Sequence, residues 1–460
     1  MGDAADLFFR TDDPENCLDY RVRPSDEQYD AQRDRWNDLA EHLKEDLSNR
    51  SGYAIATWLQ GSYKYGTQVR PSNLEAEFDV DLGVYFRWQG EPDDGGYSTQ
   101  ELKQLVHLSL HEYVADGGNE ADNVSPPKNR CERVHFLSDF HIDVPAYHLD
   151  EARDARSLAT EENGWEGSDP KAIYVWWKNT ISAAVRPRAR RLVRYFKMWA
   201  ALRLAEEARP SSIMLTVLVA EAFAAVDAST LSGDDEYFRV VVSSILNRLQ
   251  QSPNVPNPVD KKEDLNRLST EANDDLVEAL DALLAIAERA LAVPSKSEAA
   301  DIWTEAFDHF FPVPEEEEIV EALSRALATI QFVPEVAIEA TVGSHTLSGI
   351  NRIGPIPKGS DLTFTLMNAA RLPIGATVSW TVRNSGDEAE QENDLGHRNT
   401  SSNTVTETTA YRGSHFMDVA VHLNGRLIGR RRVPVTVSSM GVPKRNPKRP
   451  AWTQLRRGRR

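Results

Sequence analysis

The spacing of apolar residues divides the chain into three stretches of different character. In the first, residues 24–50 carry apolar side chains at helical spacing among many charges, behind the cap-type oxygens of Ser25, Asp26 and Glu27, which predicts a surface helix. Residues 54–60 are a short apolar run that stops at Gly61-Ser62, the pattern of a strand feeding a turn. Residues 78–86 predict a second strand, 98–115 a helix, and 133–137 with 140–147 a pair of strands. Strand signals then fade. Amphipathic helices are predicted at 171–182, 188–207, 213–225, 236–250, 261–291 and 319–330, with the turn material of residues 253–258 separating two of them. After Pro334 the chain changes to short runs rich in Val, Thr and Ile at 377–383, 403–411, 417–423 and 432–437, punctuated by Gly and Asn, which predicts a β-sandwich. Residues 441–460 are basic and rich in Pro, and disorder is expected there. No internal repeat is visible.

A chain of 460 residues is too long for one ordinary core, so two or three domains are expected. It is 40% hydrophobic with ten Trp, and no apolar stretch approaches the roughly 18 to 20 residues of a membrane span, so a soluble protein with no membrane partner is expected. The first residues carry no basic segment followed by an apolar run, which predicts a cytoplasmic location. Cys17 and Cys131 are the only cysteines, too few for a disulfide framework or a Cys-based zinc site. A net charge of -19 argues against broad nucleic-acid coating. Two basic islands remain. Arg186, Arg188, Arg190, Arg191 and Arg194 read as one wet helix face, with a phosphate or nucleic-acid surface the alternative, and residues 444–460 hold eight basic residues and no acid.

The chemistry concentrates in Leu59-Gln60-Gly61-Ser62-Tyr63-Lys64-Tyr65-Gly66-Thr67, followed by Phe78-Asp79-Val80-Asp81-Leu82. Strand side chains alternate faces, so Asp79 and Asp81 project together while Val80 and Leu82 enter the core. Two carboxylates so placed repel unless a cation sits between them, and Mg²⁺, a hard ion with oxygen ligands, suits the position. In Asp139-Phe140-His141-Ile142-Asp143-Val144-Pro145 the alternation puts Asp139, His141 and Asp143 on one face. Three strand-borne carboxylates fit two-metal phosphoryl transfer, with Asp143 as activator of the attacking hydroxyl. Gly61 allows close backbone approach, and Ser62 adds a hydroxyl at a turn suited to phosphate. Arg133, at a strand end, is expected in solvent, with contact to a base edge or phosphate as its other reading.

A strand ending in Gly-Ser, then Asp-x-Asp on the next strand, then a later Asp between apolar residues matches the polymerase-β-like nucleotidyltransferase signature. Gln60 to Thr67, Phe78 to Phe86 and His141-Ile142-Asp143-Val144-Pro145 together resemble the bacterial cGAS/DncV-like nucleotidyltransferases, in particular the DncV-like branch. The resemblance covers about the first 330 residues. It implies a nucleotidyltransferase core at 1–168 and a helical lobe completing the nucleotide cleft at 169–333, which with the β-rich domain at 334–440 and the tail at 441–460 makes an α+β fold. It also implies synthesis of a cyclic oligonucleotide that activates an effector in CBASS anti-phage defence. Asp79, Asp81 and Asp143 would bind two Mg²⁺ ions, with Mn²⁺ the alternative. Gly61 and Ser62, flanked by Gln60 and Tyr63, would hold the donor nucleotide. Lys197 would reach the triphosphate, as would Ser211 or Ser212, between which spacing does not choose. Tyr65 resembles a base-stacking aromatic in this branch, and packing against a helix is its other reading.

By position and strand pattern, residues 334–440 are similar to the adenylyl/guanylyl cyclase and SMODS C-terminal sensor domain, which implies a ligand or regulatory partner there. The expected substrates are ATP and GTP or other NTPs, and 3',3'-cyclic GMP-AMP is the leading product. The rivals are a toxin that attaches nucleotides to RNA or protein, and an inactive nucleotide-binding regulator. The chain ends in Arg459-Arg460, not in the Gly or Ala that ubiquitin-like conjugation would require.

Overall fold

The computed structural model describes residues 4–73, 76–137, 140–226, 231–314, 332–343, 345–400, 403–424 and 426–438. The chain forms two compact units, Met1–Pro314 and Glu315–Arg460. The helix expected at 319–330, the tail at 441–460 and Asp139 lie outside the described residues.

In the first unit two short helices, α1 (Ala5–Phe8) and α2 (Leu18–Val22), precede the long α3 (Asp26–Ser51). Ser25 starts α3 with a capping box: its hydroxyl accepts from Gln28 N at 3.1 Å while Gln28 Oε1 accepts from Ser25 N at 2.9 Å. Leu39, Leu43 and Leu47, one turn apart, are fully buried and turn α3 onto the sheet. The sheet begins with β1 (Ala54–Gln60), which leads through the five-residue α4 (Gly61–Tyr65) and a connecting loop to β2 (Phe78–Arg87). Next come α5 (Thr99–Asp116), β3 (Ala121–Val124), β4 (Glu132–Phe136), β5 (Phe140–Val144), β6 (Ala146–Asp150), β7 (Ala155–Thr160) and β8 (Gly164–Gly167).

β2 is the hinge of this eight-stranded sheet. It pairs antiparallel with β1 along one edge, and parallel with both β5 and β6 along the other. The run expected as one strand at 140–147 is therefore two, divided at Pro145, whose nitrogen has no hydrogen to give a ladder. β3, β7 and β8 carry too few alternating apolar residues to stand out in the sequence. Val80, Leu82, Val84 and Phe86 fill one core with Leu39, Leu43, Leu102, Val106, Leu110 and Ile142, which commits the other face of β2 to Asp79 and Asp81.

The helices α6 (Pro170–Thr180), α7 (Arg186–Arg203), α8 (Ser212–Ala224), α9 (Asp234–Gln251), α10 (Thr270–Ala292) and α11 (Lys296–Phe307) complete the unit. Their aromatic core gathers Tyr195, Phe238, Trp303, Phe307 and Phe311 around Phe8 of α1, whose ring meets Trp303 edge-on at 4.8 Å. The helix expected from residue 261 begins only at Thr270, because Asp264 and Asn266 give their side chains to the backbone N–H groups of Val255 and Leu268 instead. Among the described residues no helix is long and apolar enough to cross a membrane.

The second unit holds β9 (Val336–Val342), β10 (His345–Ile350), β11 (Ile353–Pro357), β12 (Asp361–Leu366), β13 (Ala376–Arg383), β14 (Gly396–Thr400), β15 (Thr404–Thr408), β16 (Gly413–Leu423) and β17 (Arg426–Ser438). They form a four-stranded sheet in the order β10-β9-β12-β15 and a five-stranded sheet in the order β11-β17-β16-β13-β14. Alternate residues of both sheets, among them Ile338, Ala340 and Phe364 from one and Trp380, Val419 and Val433 from the other, share one core, which makes the unit a sandwich.

Candidate active site

Every strand that meets β2 at its N-terminal half brings a charged or polar residue to the same place. Asp79 and Asp81 sit opposite His141 and Asp143 across the parallel β2/β5 pairing, and Arg133 sits opposite Asp143 across the antiparallel β4/β5 pairing. The ligand atoms of Asp79, His141 and Asp143 lie within 4.8 Å of one another. Asp81 turns toward the β1/α4 junction. There Gly61 has φ +57°, and a Cβ would lie 1.7 Å from Asp81 Oδ2, so both its conformation and the space demand glycine.

The residues around that junction are held from behind. Gln60 is buried, donating from Nε2 to the Tyr85 hydroxyl at 2.8 Å and accepting from the Tyr147 hydroxyl at 3.3 Å. Tyr63 turns toward α3 and stacks on Tyr29 at 4.3 Å with an 8° tilt. Tyr65 turns toward α6 and meets Tyr174 and Trp177 edge-on at 5.3 Å and 6.0 Å. Both tyrosines are buried, so they brace α4 in this structure, while Ser62 is half-buried.

Burial in a largely acidic setting sets the electrostatics. Desolvation, followed by the charges of Asp79 and Asp143, pushes the Asp81 carboxyl well above its ordinary value, and Lys197 and Arg133 oppose this only in part. Lys197 is buried on α7 and donates from Nζ to Thr67 O at 3.1 Å and Thr67 Oγ1 at 3.4 Å. Burial draws its pKa down to about 8, against the pull of Asp79 and Asp81. Asp143 is the contrast: burial alone would raise it, but Arg133 donates from Nε to Oδ1 at 2.5 Å and from Nη2 to Oδ2 at 2.8 Å and holds it below its ordinary value. The donor set fits a hard divalent cation: carboxylate oxygens of Asp79 and Asp143 converge from adjacent strands, and Asp81 next to them is disfavoured as an anion by burial and by those acidic neighbours.

Two expectations are corrected. Arg133 is not in solvent but half-buried in that bidentate pair, because the β4/β5 register sets it opposite Asp143. The arginines of α7 are not a wet face. Arg188 and Arg191 share Asp234 at 2.9 Å and 2.5 Å, Arg194 holds Asp19 and the Gly66 carbonyl, and Arg186 donates to the Lys178 and Ile181 carbonyls that end α6. Asp19 stands 175 residues from Arg194, which no local pattern can reveal.

Ser211 caps α8, its hydroxyl accepting from Met214 N at 3.3 Å, and Ser212 is exposed at the first helical position. Among the described residues no contact joins either serine to the carboxylates. Glu77 escaped notice in the sequence, yet its Oε2 lies 2.8 Å from His141 Nδ1, while His141 Nε2 lies 3.1 Å from Asp79 Oδ1. The signal available was the shared strand face of His135 and His141 across a hairpin.

Comparison with known proteins bears on this geometry. Residues 55–147 match the family described as the nucleotidyltransferase domain of DncV-like cyclic GMP-AMP synthases, and residues 315–438 match the adenylyl/guanylyl and SMODS C-terminal sensor domain. A cyclic GMP-AMP synthase of Escherichia albertii is 30% identical over 440 residues, covering 94% of this chain and 96% of its own. A c-di-GMP synthase of Roseivirga ehrenbergii is 25% identical over 258 residues, 49% of this chain and 64% of its own. Among solved structures, Vibrio cholerae DncV cyclic AMP-GMP synthase in complex with a linear intermediate aligns with a TM-score of 0.56 at 20% identity, over 69% of this chain and 98% of that one. The 3'-deoxy GTP bound form of Escherichia coli DncV aligns with a TM-score of 0.54 at 20% identity, over 67% and 97%. At such identity the structures bear on the fold.

Proposed function

The chain belongs to the cGAS/DncV-like nucleotidyltransferase family, and from that premise we propose that it joins nucleoside triphosphates into a cyclic dinucleotide at Asp79, Asp81 and Asp143. The observation that carries the reading is the convergence of those carboxylates across the β2/β5 pairing, with Asp81 against Gly61 and buried Lys197 under the charge of Asp79 and Asp81.

Asp79, Asp81 and Asp143 would hold two Mg²⁺ ions, with Mn²⁺ the alternative. Bound there, such ions acidify a ribose hydroxyl and neutralise the departing pyrophosphate. The chain's own residues do the rest. Gly61 and Ser62 offer backbone N–H groups and a hydroxyl to the donor phosphates, Gln60 fixes the turn from behind, and Lys197 adds a positive charge that its buried position keeps undiluted by water. Asp143 is the proposed acceptor of the proton as the ribose oxygen bonds to the α-phosphorus and the bond to pyrophosphate breaks, which requires one of its oxygens to leave the Arg133 pair that keeps it anionic. A second transfer closes the ring. Tyr65, by turning from α6 toward a base, and Ser211 or Ser212 complete the proposed nucleotide pocket, with Tyr63 serving it from behind by bracing α4.

ATP and GTP are the proposed substrates and 3',3'-cyclic GMP-AMP the leading product, because the Escherichia albertii relative that spans nearly the whole chain is a cyclic GMP-AMP synthase. Cyclic di-GMP is the second reading, prompted by the Roseivirga ehrenbergii relative. We place the catalytic work in residues 1–333, as core and helical lobe, and assign the β-rich domain at 334–440 to binding a regulatory ligand or partner. Activation of an anti-phage effector in the cytoplasm completes the proposal. Incubation with labelled ATP, GTP or both, followed by phosphatase and chromatography, tests it. A phosphatase-resistant product that needs both nucleotides supports cyclic GMP-AMP, and one made from GTP alone supports cyclic di-GMP. Label found only on RNA or protein overturns the cyclase reading in favour of a toxin.

A further inference from the structure

Beside the carboxylates, on the same sheet, lies a second constellation of different chemistry. Glu77 immediately before β2, His135 on β4 and His141 on β5 bring three ligand atoms within 4.8 Å of one another. His135 Nδ1 is 3.0 Å and His141 Nδ1 is 2.8 Å from Glu77 Oε2. The two histidines are held opposite each other by the β4/β5 register.

We propose that Glu77, His135 and His141 form a binding site for a transition-metal ion of the Zn²⁺ class. The ligand type separates it from its neighbour. Two imidazoles and one carboxylate suit Zn²⁺ or Co²⁺, whereas Mg²⁺ prefers oxygen alone. The ring nitrogen of His135 turned away from the cluster has a hydrogen-bond partner that fixes the ring, with Ser125 Oγ 2.8 Å from Nε2.

His141 makes the stronger argument. Its Nδ1 meets Glu77 Oε2 at 2.8 Å, while its buried Nε2 makes no hydrogen bond among the described residues although Asp79 Oδ1 lies 3.1 Å away. The ring is therefore placed from the Glu77 side alone, where a metal ion would take the Nδ1 lone pair. The N···O distances of 2.8 Å and 3.0 Å are near those of two ligands at about 2.0–2.2 Å around one ion, so small side-chain rotations complete the set. The side chains of Glu77 and His135 are 35% and 22% exposed, which leaves an entry path and a solvent position on the ion. Filling the site would fix the ring that faces Asp79. The site stands whatever product the enzyme makes.

The test uses the full chain, stripped with a chelator and titrated with Co²⁺ in excess Mg²⁺, which keeps the carboxylate site occupied. One Co²⁺ per chain is expected, with visible d–d absorption and displacement by Zn²⁺. H135A should weaken Co²⁺ at least tenfold, while D143N retains it. Circular dichroism and a melting curve check that H135A is folded, and H135Q serves if it is not. Absence of Co²⁺ binding in excess Mg²⁺, binding unchanged in the His135 variant, or equal loss in D143N overturns the proposal. In that case the contacts of Glu77 with His135 and His141 are a hydrogen-bonded brace.

Discussion

The inner face of β2 and the facing helix α7 are both dense in charge, and they treat it in opposite ways. On α7 most of the arginines have dedicated partners: Arg188 and Arg191 close on Asp234 and Arg194 closes on Asp19, while the buried Nε of Arg190 has none among the described residues. On β2 the carboxylates outnumber their cations, so Asp81 is pushed toward its neutral form and Lys197 is left to serve two acids from a distance. A charge matched by the chain itself is architecture, while charge left over awaits a ligand. Substitutions should therefore divide cleanly, with loss of chemistry on one side and loss of stability on the other.

The largest effect belongs to the surplus. D79N combined with D81N should lower cyclic dinucleotide formation at least about 1,000-fold, or ~4 kcal/mol of transition-state stabilisation. The melting temperature should hold or rise, because the change removes repulsion from a buried cluster. Product assays with a melting curve check both halves, and unchanged synthesis would refute the site.

D234A should do the reverse. It leaves Arg191, whose side chain is 9% exposed, without the carboxylate that accepts from its Nε at 2.5 Å and its Nη2 at 2.9 Å. Stranding a buried cation destabilises by about 3 kcal/mol. Denaturant unfolding should show that loss while turnover per folded molecule changes less than about twofold. A large fall in turnover at full stability would erase the distinction between the two faces.

G61A tests the border between them. Its Cβ would enter the space of Asp81 Oδ2, and its backbone would be held at a positive φ, so a loss of about 100-fold in rate and about 1 kcal/mol in stability is expected. Steady-state kinetics and thermal melting check it, and wild-type kinetics would show that Asp81 does not need the turn.

What the sequence made legible follows from the range of the forces involved. The strands of β1 and β2, the turn between them and the shared face of Asp79 and Asp81 are local consequences of alternation, and the α+β class with a terminal sandwich follows from the same periodicity. The pairing of Arg133 with Asp143 needs the β4/β5 register, and those of Arg194 with Asp19 and Arg191 with Asp234 need the packed lobe. Such partners are set by tertiary contacts and leave no spacing to read. For the same reason the α7 arginines looked like a solvated face when they are the mortar of the lobe.

The smallest predicted effect concerns the one cation that spans both regions. Lys197 lies on α7 with the arginines but answers to Asp79 and Asp81, and its pKa is about 8, against an ordinary value of 10.5. Between those values the unfolded chain holds a proton that the native chain has released, so the stability contribution of Lys197 rises with pH across that window, and its penalty is present in full below pH 8. Nucleotide binding should run the other way, since the triphosphate needs the ammonium. From pH 7 to pH 9 the KM for nucleotide should rise several-fold at little change in kcat, even as Lys197 favours the fold. K197M should show a raised KM at pH 7 and a nearly flat profile above it. A parallel rise of KM with pH in both proteins would mean that the titrating group lies elsewhere and that Lys197, like its arginine neighbours, is architecture.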